Sequence, residues 1–310
     1  MSEVFVKNEK SYKTKKIISN VLVYLFLAAI AITILVPFYW MLLTSVKDAI
    51  MIEQTPPLLF IKPSEWKLLN YTSLFDLVQS GPRRGQPLFP FFTYMKNTIV
   101  ISIITTIGTS ITTILAAYAF ARLNFKGRDV VFGIIIATMM IPGEIFILTN
   151  FLTVNRLGWY DIMNQTYMDA ILAMTLPFMT SVFYTFYLRQ TFKQIPNELY
   201  YAAKVDGTTD FKYLLKVMIP VAMPTIVTII ILNSMGAWSA YIWPAMVTTK
   251  DSYRLVSNGL RGAFTDTSTG RTDYGQQMAS ATLVTLPLLI VFFTFRKQIM
   301  RGVSRSGIKG

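Results

Sequence analysis

Glu144 is the residue of this sequence with the clearest potential for chemistry, because it is the only acidic residue in the apolar run from Val130 to Asn155. A carboxylate within a membrane span is costly and is by default a candidate for contact with a solute. Pro142 and Gly143 precede it, and they can break the helix and expose its backbone to a cavity. The alternative is that Glu144 lies in water near the outer interface.

A second set of candidates combines an amide with aromatic rings at the outer end of another apolar run: Asn233, Trp238, Tyr241 and Trp243. Aromatic walls with a few amides suit hydroxyl-rich solutes such as sugars, which have apolar C–H faces and polar edges. Trp and Tyr are also common at membrane–water interfaces. The ordinary interfacial belt therefore accounts for each aromatic residue taken singly, and both interpretations stay open.

Other chemistry is excluded by composition. The sequence contains no His and no Cys, which removes disulfides, Cys/His metal sites and Ser–His or Cys–His nucleophiles. It contains no Gly-x4-Gly-Lys-Ser/Thr segment, so it lacks a P-loop for nucleotide phosphates. We expect no catalytic residue and no metal site, and any ATP-driven step must be performed by another subunit.

The composition indicates a membrane protein. Of the 310 residues, 53% are hydrophobic and 15% are charged, against about 25% charged in a typical soluble domain. Mean hydropathy is +0.47. Six stretches are free of Asp, Glu, Lys and Arg, apart from Glu144, and each is about long enough for a spanning helix: 17–46, 97–121, 130–155, 170–188, 217–249 and 274–295. The sequence predicts an all-α membrane protein with six transmembrane helices.

Charge distribution predicts the orientation. The N-terminus, the second and fourth connections and the tail carry 18 basic and six acidic residues, whereas the rest of the chain carries 11 and ten. Lys and Arg accumulate on the cytoplasmic side, so both termini are expected there. Dispersal of the charge over four short segments argues against a nucleic-acid partner, which would need one basic face. We predict a cytoplasmic segment 1–16, a transmembrane domain 17–295, external loops 47–96 and 250–273, and a tail 296–310.

The largest cytoplasmic connection, residues 190–220, predicts two helices joined by a sharp turn. Pro196 suits the first position of a helix, and Leu199, Ala202 and Ala203 then form a narrow stripe. Gly207 can adopt the left-handed conformation that ends a helix. The next helix can be capped by Thr208, Thr209 or Asp210. Such an element could pack on its own bundle or dock a partner, since its small side chains allow close approach.

This segment resembles the EAA loop of ABC importer permeases, whose pattern is E-A-A-x3-G-x9-I-x-L-P. Ala202, Ala203, Gly207 and Pro220 take the matching positions, with Val217 and Ile219 as mild changes. Tyr201 replaces the first Glu of the pattern, whereas Glu198 matches the Glu of the common IPxEL lead-in. The resemblance implies that this loop couples the permease to an ATPase subunit through Glu198, Leu199, Tyr201, Ala202, Ala203, Asp206, Gly207 and Pro220.

Similarity to the maltose-type, six-helix sugar permeases extends over nearly the whole chain. The segments that carry it, in order, are Pro37 to Lys47, Asn70-Tyr71, Asn97-Thr98, Ile141-Pro142 with Glu144, Leu157-Gly158, Trp238-x4-Trp243-Pro244 and the tail 301–310. Together they are typical of the carbohydrate-uptake branch.

The resemblance implies a non-catalytic, multi-pass subunit of a bacterial cell-membrane importer for a sugar or oligosaccharide. Its expected partners are a second, homologous permease, two ATPase subunits, an extracytoplasmic solute-binding protein and the lipid bilayer. ATP and Mg would be used by the ATPase subunits, and no cofactor would be bound by this chain. The alternatives are an ABC permease for another solute, such as a glycerol phosphodiester or a polyol, and a self-contained secondary transporter.

Overall fold

The computed structural model describes residues 2–76, 89–260, 264 and 272–304, with side chains from residue 15 to residue 296 of these ranges. Within them the regular secondary structure is helical, apart from an isolated bridge at Thr272. The all-α prediction is therefore confirmed for this part of the chain. Residues 77–88, 261–263 and 265–271 of the predicted external loops, and 305–310 of the predicted tail, lie outside the described residues.

Fourteen α-helices are assigned among the described residues. In chain order they are α1 (Ser2–Ser45), α2 (Ala49–Glu53), α3 (Leu69–Thr72), α4 (Phe91–Arg122), α5 (Arg128–Ala137), α6 (Phe146–Arg156), α7 (Tyr167–Thr175), α8 (Val182–Lys193), α9 (Asn197–Val205), α10 (Asp210–Tyr213), α11 (Ile219–Trp238), α12 (Ile242–Val247), α13 (Val256–Leu260) and α14 (Tyr274–Ser304).

The described residues fall into two compact units. The first contains residues 2–76, 264 and 272–283 of the described ranges. The large apolar side chains of α1 from Ile17 to Leu42 are mostly exposed, and such a surface is stable only in lipid or against another apolar surface. The connection after α1 is held by Asn70, whose amide donates to the carbonyls of Ser45 at 2.9 Å and Lys47 at 2.7 Å.

The second unit contains residues 89–260 and 284–304 of the described ranges, and α4 is its central helix. Every fourth side chain of α4, from Asn97 through Ile101, Thr105, Thr109 and Thr113 to Ala117, is buried. Residues four apart lie on one face of a helix, and most of these side chains are small, so α8 and α11 can approach closely. The opposite stripe is exposed and apolar: Ile99, Ile103, Ile107, Ile111 and Leu115.

Four continuous helical segments are long and apolar enough to cross a membrane: Lys15–Ser45, Phe91–Arg122, Asp210–Trp238 and Tyr274–Arg296. Two bent pairs add up to two more, namely Arg128–Met140 with Gly143–Arg156 at 84° and Tyr167–Phe178 with Val182–Lys193 at 51°. The count agrees with the six predicted spans if each bent pair is one span. Pro142 lies at the first break, as predicted, and Pro177 lies just before the second.

Candidate functional site

A cavity of about 650 Å³ lies at one end of the second unit's helices. We call this the outer end, because the charge distribution of the sequence predicts that it faces away from the cytoplasm. Its lining includes four of the five predicted solute-path residues, Glu144, Asn233, Tyr241 and Trp243. These residues are separated by up to a hundred positions in the sequence. Their convergence on one cavity makes it the candidate solute site.

Glu144 reaches this cavity because the helix breaks just before it. Pro142 is extended, at φ −56° and ψ 133°, and a 3-10 turn, Gly143–Ile145, follows before α6 begins. The turn places Gly143 and Glu144 in the lining. The carboxylate side chain is exposed rather than packed between helices. The prediction that Pro142 and Gly143 open the helix next to a cavity is thus confirmed.

Two residues that line the cavity each have a buried polar atom without a hydrogen-bond partner among the described residues. The atoms are the side-chain nitrogen Nδ2 of Asn233 and the hydroxyl oxygen of Thr105. Buried polar atoms are normally paired, but these two have almost no accessible surface, so they do not by themselves mark a contact with a solute. Thr105 was missed by the sequence analysis because it is one of many Thr residues on α4, and no local pattern distinguishes it.

Trp243 forms a fixed wall of the cavity. Its indole N–H donates to the carbonyl of Ala173 at 3.0 Å, and only 7% of the residue is exposed. The ring of Phe178 packs edge-on against it, with 5.6 Å between ring centroids. Phe178 also lines the cavity and is exposed. Trp243 is therefore packed inside the protein.

Trp238 lies apart from the other four candidates. It lines a separate, shallower depression of about 310 Å³, together with Ser102, Thr106 and Ser234. Its indole N–H is buried without a hydrogen-bond partner in the described part of the chain. The structure thus brings together Glu144, Asn233, Tyr241 and Trp243, but not Trp238.

The outer segments beside the cavity are held by the buried amide of Gln165. Its Nε2 donates to the carbonyls of Trp159 at 2.8 Å and Val247 at 2.7 Å. Its Oε1 accepts from the backbone N–H of Thr249 at 3.0 Å. Because Val247 ends α12, which begins just after Tyr241, Gln165 fixes the end of the helix that carries Trp243.

At the opposite end of the unit, which we call the inner end on the same prediction, α9 forms the predicted helix–turn–helix with α10. Gly207 has a φ of +69°, its N–H donates to the carbonyl of Lys204 at 3.0 Å, and the N–H of Thr208 donates to Ala203 at 2.9 Å. This is a Schellman motif. The hydroxyl of Thr209 then caps α10. The expected left-handed Gly207 is confirmed, as is a capping residue before the next helix.

One detail of this element differs from the prediction. Pro196 was expected at the first helical position, but α9 begins at Asn197 and Pro196 is its N-cap residue, with ψ 143°. The reason is that Asn197 is the first residue with helical backbone angles. The helix is shorter by one residue, and the stripe residues keep their spacing.

The predicted coupling residues lie on different sides of α9 and in the segment that follows it. Most are exposed: Glu198, Leu199, Tyr201, Ala202, Asp206 and Gly207. Ala203 is half-buried and packs against the inner core with Tyr200. Pro220 is exposed near the start of α11, after a π-helical turn at Leu214–Met218. The exposed face also contains Val205, the most exposed of its apolar side chains at 89%.

Asp210 connects α9 and α4 to the start of the continuous helical segment Asp210–Trp238. With Tyr118, Tyr200 and Lys204 it forms a group of four residues that we call the inner latch. One carboxylate oxygen of Asp210 accepts from the Tyr200 hydroxyl at 2.8 Å and the Tyr118 hydroxyl at 3.3 Å. The same oxygen lies 2.9 Å from the Lys204 ammonium. The hydrogen bond to Asp210 raises the pKa of Lys204, and burial raises the pKa of Tyr200.

Arg122, the last residue of α4, anchors the chain where α8 ends and α9 begins. Its guanidinium donates to the carbonyl of Phe192 at 2.9 Å, to the carbonyl of Ile195 and to the side-chain oxygen of Asn197. Terminal helix carbonyls otherwise lack partners. Arg122 and the inner latch were not identified from the sequence. Except for the local pairs within residues 200–210, the bonded residues are separated by 70 or more positions in the chain.

Comparison with known proteins identifies the family. Residues 108–305 match the model of the binding-protein-dependent transport system inner membrane component. The chain is 30% identical to the inner membrane ABC transporter permease protein YcjP of Escherichia coli (strain K12), over 96% of this chain and 99% of that protein. It is 28% identical to the arabinooligosaccharides transport system permease protein AraQ of Bacillus subtilis (strain 168), over 92% and 94%.

A solved structure shares the fold. The bacterial ABC transporter involved in import of the acidic polysaccharide alginate superposes with a TM-score of 0.74 and 21% identity, over 90% of this chain and 96% of that chain. The resemblance to ABC importer permeases of the carbohydrate-uptake branch is thereby confirmed. Together with the apolar spans and the helix–turn–helix on the inner side, these matches establish that the chain belongs to the family of inner membrane components of binding-protein-dependent transport systems.

Proposed function

We propose that this chain is the transmembrane permease subunit of a bacterial ABC importer for a sugar or oligosaccharide. It forms the translocation path with a second, homologous permease. Two ATPase subunits, which use ATP and Mg, drive the cycle from the cytoplasm, and an extracytoplasmic binding protein delivers the solute. The chain itself performs no catalysis. Family membership supports this assignment, and the arabinooligosaccharide relative supports the substrate class.

The observation that carries the proposal is the exposure of three large apolar side chains around α9, with Leu199 and Tyr201 on different sides of the helix. Leu199 is 46% exposed, Tyr201 63% and Val205 89%, and a partner that surrounds the helix would bury them. The inner latch and Arg122 hold α9 to the bundle from the other side. We infer that α9 is the coupling helix and that its exposed face docks on an ATPase subunit.

Tyr201 modifies this contact. Relative to the Glu of the family pattern, its ring adds apolar area but cannot provide a carboxylate for a salt bridge. Glu198 and Asp206, both exposed at the two ends of α9, remain available for polar contacts. Docking through this face is therefore expected to be mainly apolar and weakly dependent on salt.

The proposed orientation places α9 and both termini in the cytoplasm. Lys193, Lys204, Lys212 and Lys216 surround α9, in agreement with the accumulation of basic residues on that side. The cavity around Glu144, Asn233, Tyr241 and Trp243 then faces the extracytoplasmic half. We assign these four residues to the solute path, and Trp238 to the neighbouring depression, where it can contact the path or a partner helix.

The test is affinity purification of the tagged chain from native membranes in mild detergent, followed by mass spectrometry. We expect a P-loop ATPase and a second polytopic permease to be recovered with it. Leu199→Asp should reduce ATPase recovery strongly, because it places a charge in the apolar contact. Lys212→Gln, an exposed substitution on α10, is the matched control and should leave recovery unchanged.

Two other results would contradict parts of this assignment. Recovery of the chain alone, as a monomer or homodimer that still carries solute in liposomes, would contradict the importer and favour a secondary transporter. Equal ATPase recovery with Leu199→Asp and the wild type would contradict docking through α9 while leaving the importer in place.

A further inference from the structure

The inner latch contains a polar connection that the EAA pattern does not include. All four of its residues lie outside the fixed positions of that pattern. Two of the three donors to Asp210, Tyr200 and Lys204, belong to α9 and so act within the helix–turn–helix. The third, Tyr118, belongs to α4 and donates across 92 positions of the chain. The bond from Tyr118 is thus not needed to close the turn between α9 and α10.

α4 holds α9 at both ends. Tyr118 and Arg122 are four residues apart and so lie on the same face of α4. The guanidinium of Arg122 donates to the side-chain oxygen of Asn197, the first residue of α9, and to the carbonyl of Phe192 at 2.9 Å. The hydroxyl of Tyr118 donates at 3.3 Å to Asp210, which follows the turn after α9. Either attachment alone would act as a pivot, whereas the two together prevent α9 from turning on α4.

α4 connects these two attachments to the outer cavity. It runs unbroken from Phe91 to Arg122, and its sequence contains no Pro. Ile101 and Thr105 of the same helix line the cavity. Ile101 lies 17 positions before Tyr118, which corresponds to about 25 Å along the helix axis. A displacement of the inner end of α4 is therefore carried to one wall of the cavity.

The covalent path from α9 to the cavity is less direct. The segment that begins at Asp210 contains a π-helical turn, Leu214–Met218, before α11 begins at Ile219. Helices bend at such turns, because the regular ladder of hydrogen bonds is interrupted there. α11 also contains Pro224, which lacks the N–H that a helix interior uses. This segment can absorb a displacement of α9, whereas α4 contains no comparable break.

We propose that Tyr118 and Asp210 are positioning residues for transport. Their hydrogen bond, together with the bond from Arg122 to Asn197, makes α4 and α9 move as one body. When the ATPase displaces α9, the α4 wall of the outer cavity moves with it. This inference rests on the proposed function and adds the connection by which the coupling loop controls the cavity.

Tyr200 provides a matched control for Tyr118. Both hydroxyls donate to the same oxygen of Asp210, and the bond from Tyr200 is the shorter, at 2.8 Å against 3.3 Å. Tyr200→Phe removes a bond within the helix–turn–helix, whereas Tyr118→Phe removes the bond between that element and α4. If the inner latch only stabilised the fold, Tyr200→Phe would have an equal or larger effect on every property. The proposed role predicts the reverse for the response of the cavity to ATP.

The experiment measures how ATP changes access to the cavity. The chain contains no Cys, so Ser239→Cys, at an exposed position of the lining, gives a single reporter once the partner subunits are made free of Cys. Its labelling rate with a charged maleimide is compared with and without ATP and vanadate, in the purified complex of permeases, ATPases and binding protein. We expect ATP to change the rate at least about fivefold, the lower range of coupling between sites.

The two Tyr→Phe variants are compared in this assay. Tyr118→Phe should reduce the ATP-dependent change in rate about threefold, and Tyr200→Phe less than about 1.5-fold. Thermal unfolding separates this role from stability, because both variants should lower Tm slightly and to a similar extent.

Three outcomes would overturn the inference. They are an unchanged ATP response in Tyr118→Phe, an equal loss of the response in Tyr118→Phe and Tyr200→Phe, and no ATP response in a wild-type complex that contains its ATPase. Purification of the chain without any ATPase would instead contradict the proposed function.

Discussion

The two ends of the second unit differ in how their polar groups are bonded. At the inner end, Asp210 and Arg122 each have several partners, and the bonds join α4, α8, α9 and the helix that begins at Asp210, although the Nε atom of Arg122 has no partner among the described residues. At the outer cavity, Thr105 and Asn233 each have an unpaired atom, and Glu144 projects from a broken helix. Under the proposed function, we expect the inner end to transmit a displacement and the outer end to receive a ligand.

This contrast predicts different responses to mutation. Removing a side chain from the inner end should reduce stability and coupling together, since each group there has several partners. Removing one from the cavity should reduce ligand binding with little loss of stability. Proteins commonly keep unpaired or strained groups where function requires them.

The largest effect is expected from Arg122→Leu. This substitution leaves the carbonyls of Phe192 and Ile195 without their donor and should cost about 3 kcal/mol, since hydrogen bonds to charged groups are among the strongest. Thermal unfolding in detergent measures the loss. Lys126→Met, a change of an exposed cation in the following turn, should have little effect. An equally small change in Tm for Arg122→Leu would show that the stability of the inner end does not depend on this residue.

Gly207→Val should separate transport from ATP hydrolysis. The φ of +69° costs a non-glycine residue about 1–2 kcal/mol, and a branched side chain more, so the turn between α9 and α10 should be distorted. Among the described residues, no atom other than those of its chain neighbours lies within 4 Å of a Cβ placed there, so the penalty comes from the backbone. Gly207→Asn, which tolerates this conformation, is the control.

The measurement is solute uptake per ATP hydrolysed in proteoliposomes. We expect a lower ratio for Gly207→Val and a ratio near that of the wild type for Gly207→Asn. Equal ratios for all three proteins would mean that the geometry of the turn does not carry the coupling.

Local signals in the sequence predicted the backbone of both ends better than their side-chain partners. Pro142-Gly143 indicated the break before Glu144, and Gly207 indicated the turn after α9, because both effects act within a few residues. The hydrogen bond from Tyr118 to Asp210 spans 92 positions, and it depends on the packing of α4 against the segment Asp210–Trp238. Thr105 illustrates the same difficulty, since only the tertiary structure distinguishes its free hydroxyl from the paired one of Thr106.

The two tryptophans of the outer end, Trp243 and Trp238, allow a paired and an unpaired indole N–H to be compared. Trp243→Phe removes the hydrogen bond to the carbonyl of Ala173 and should cost about 1 kcal/mol. Trp238→Phe removes an N–H without a partner in the described chain, so its Tm should change little or rise. Thermal unfolding of the two variants measures both effects. An equal decrease in Tm for the two would contradict the assignment of Trp243 as the fixed wall of the cavity.

The smallest effects are expected within the inner latch, because three donors share one oxygen of Asp210. Tyr200→Phe removes the 2.8 Å hydrogen bond and Tyr118→Phe the 3.3 Å one, and each should cost less than about 1 kcal/mol. When one donor is lost, the other and Lys204 can move closer to the shared oxygen, so a single loss is partly compensated. The double variant lacks that compensation, so its loss of stability should exceed the sum of the two single losses by about 0.5 kcal/mol.

A double-mutant cycle on the free energy of unfolding measures this coupling, whereas simple additivity would mean that the two tyrosines hold α9 and α4 independently. In that case the inner end would be a set of separate contacts, and a displacement of α9 would reach α4 through packing alone.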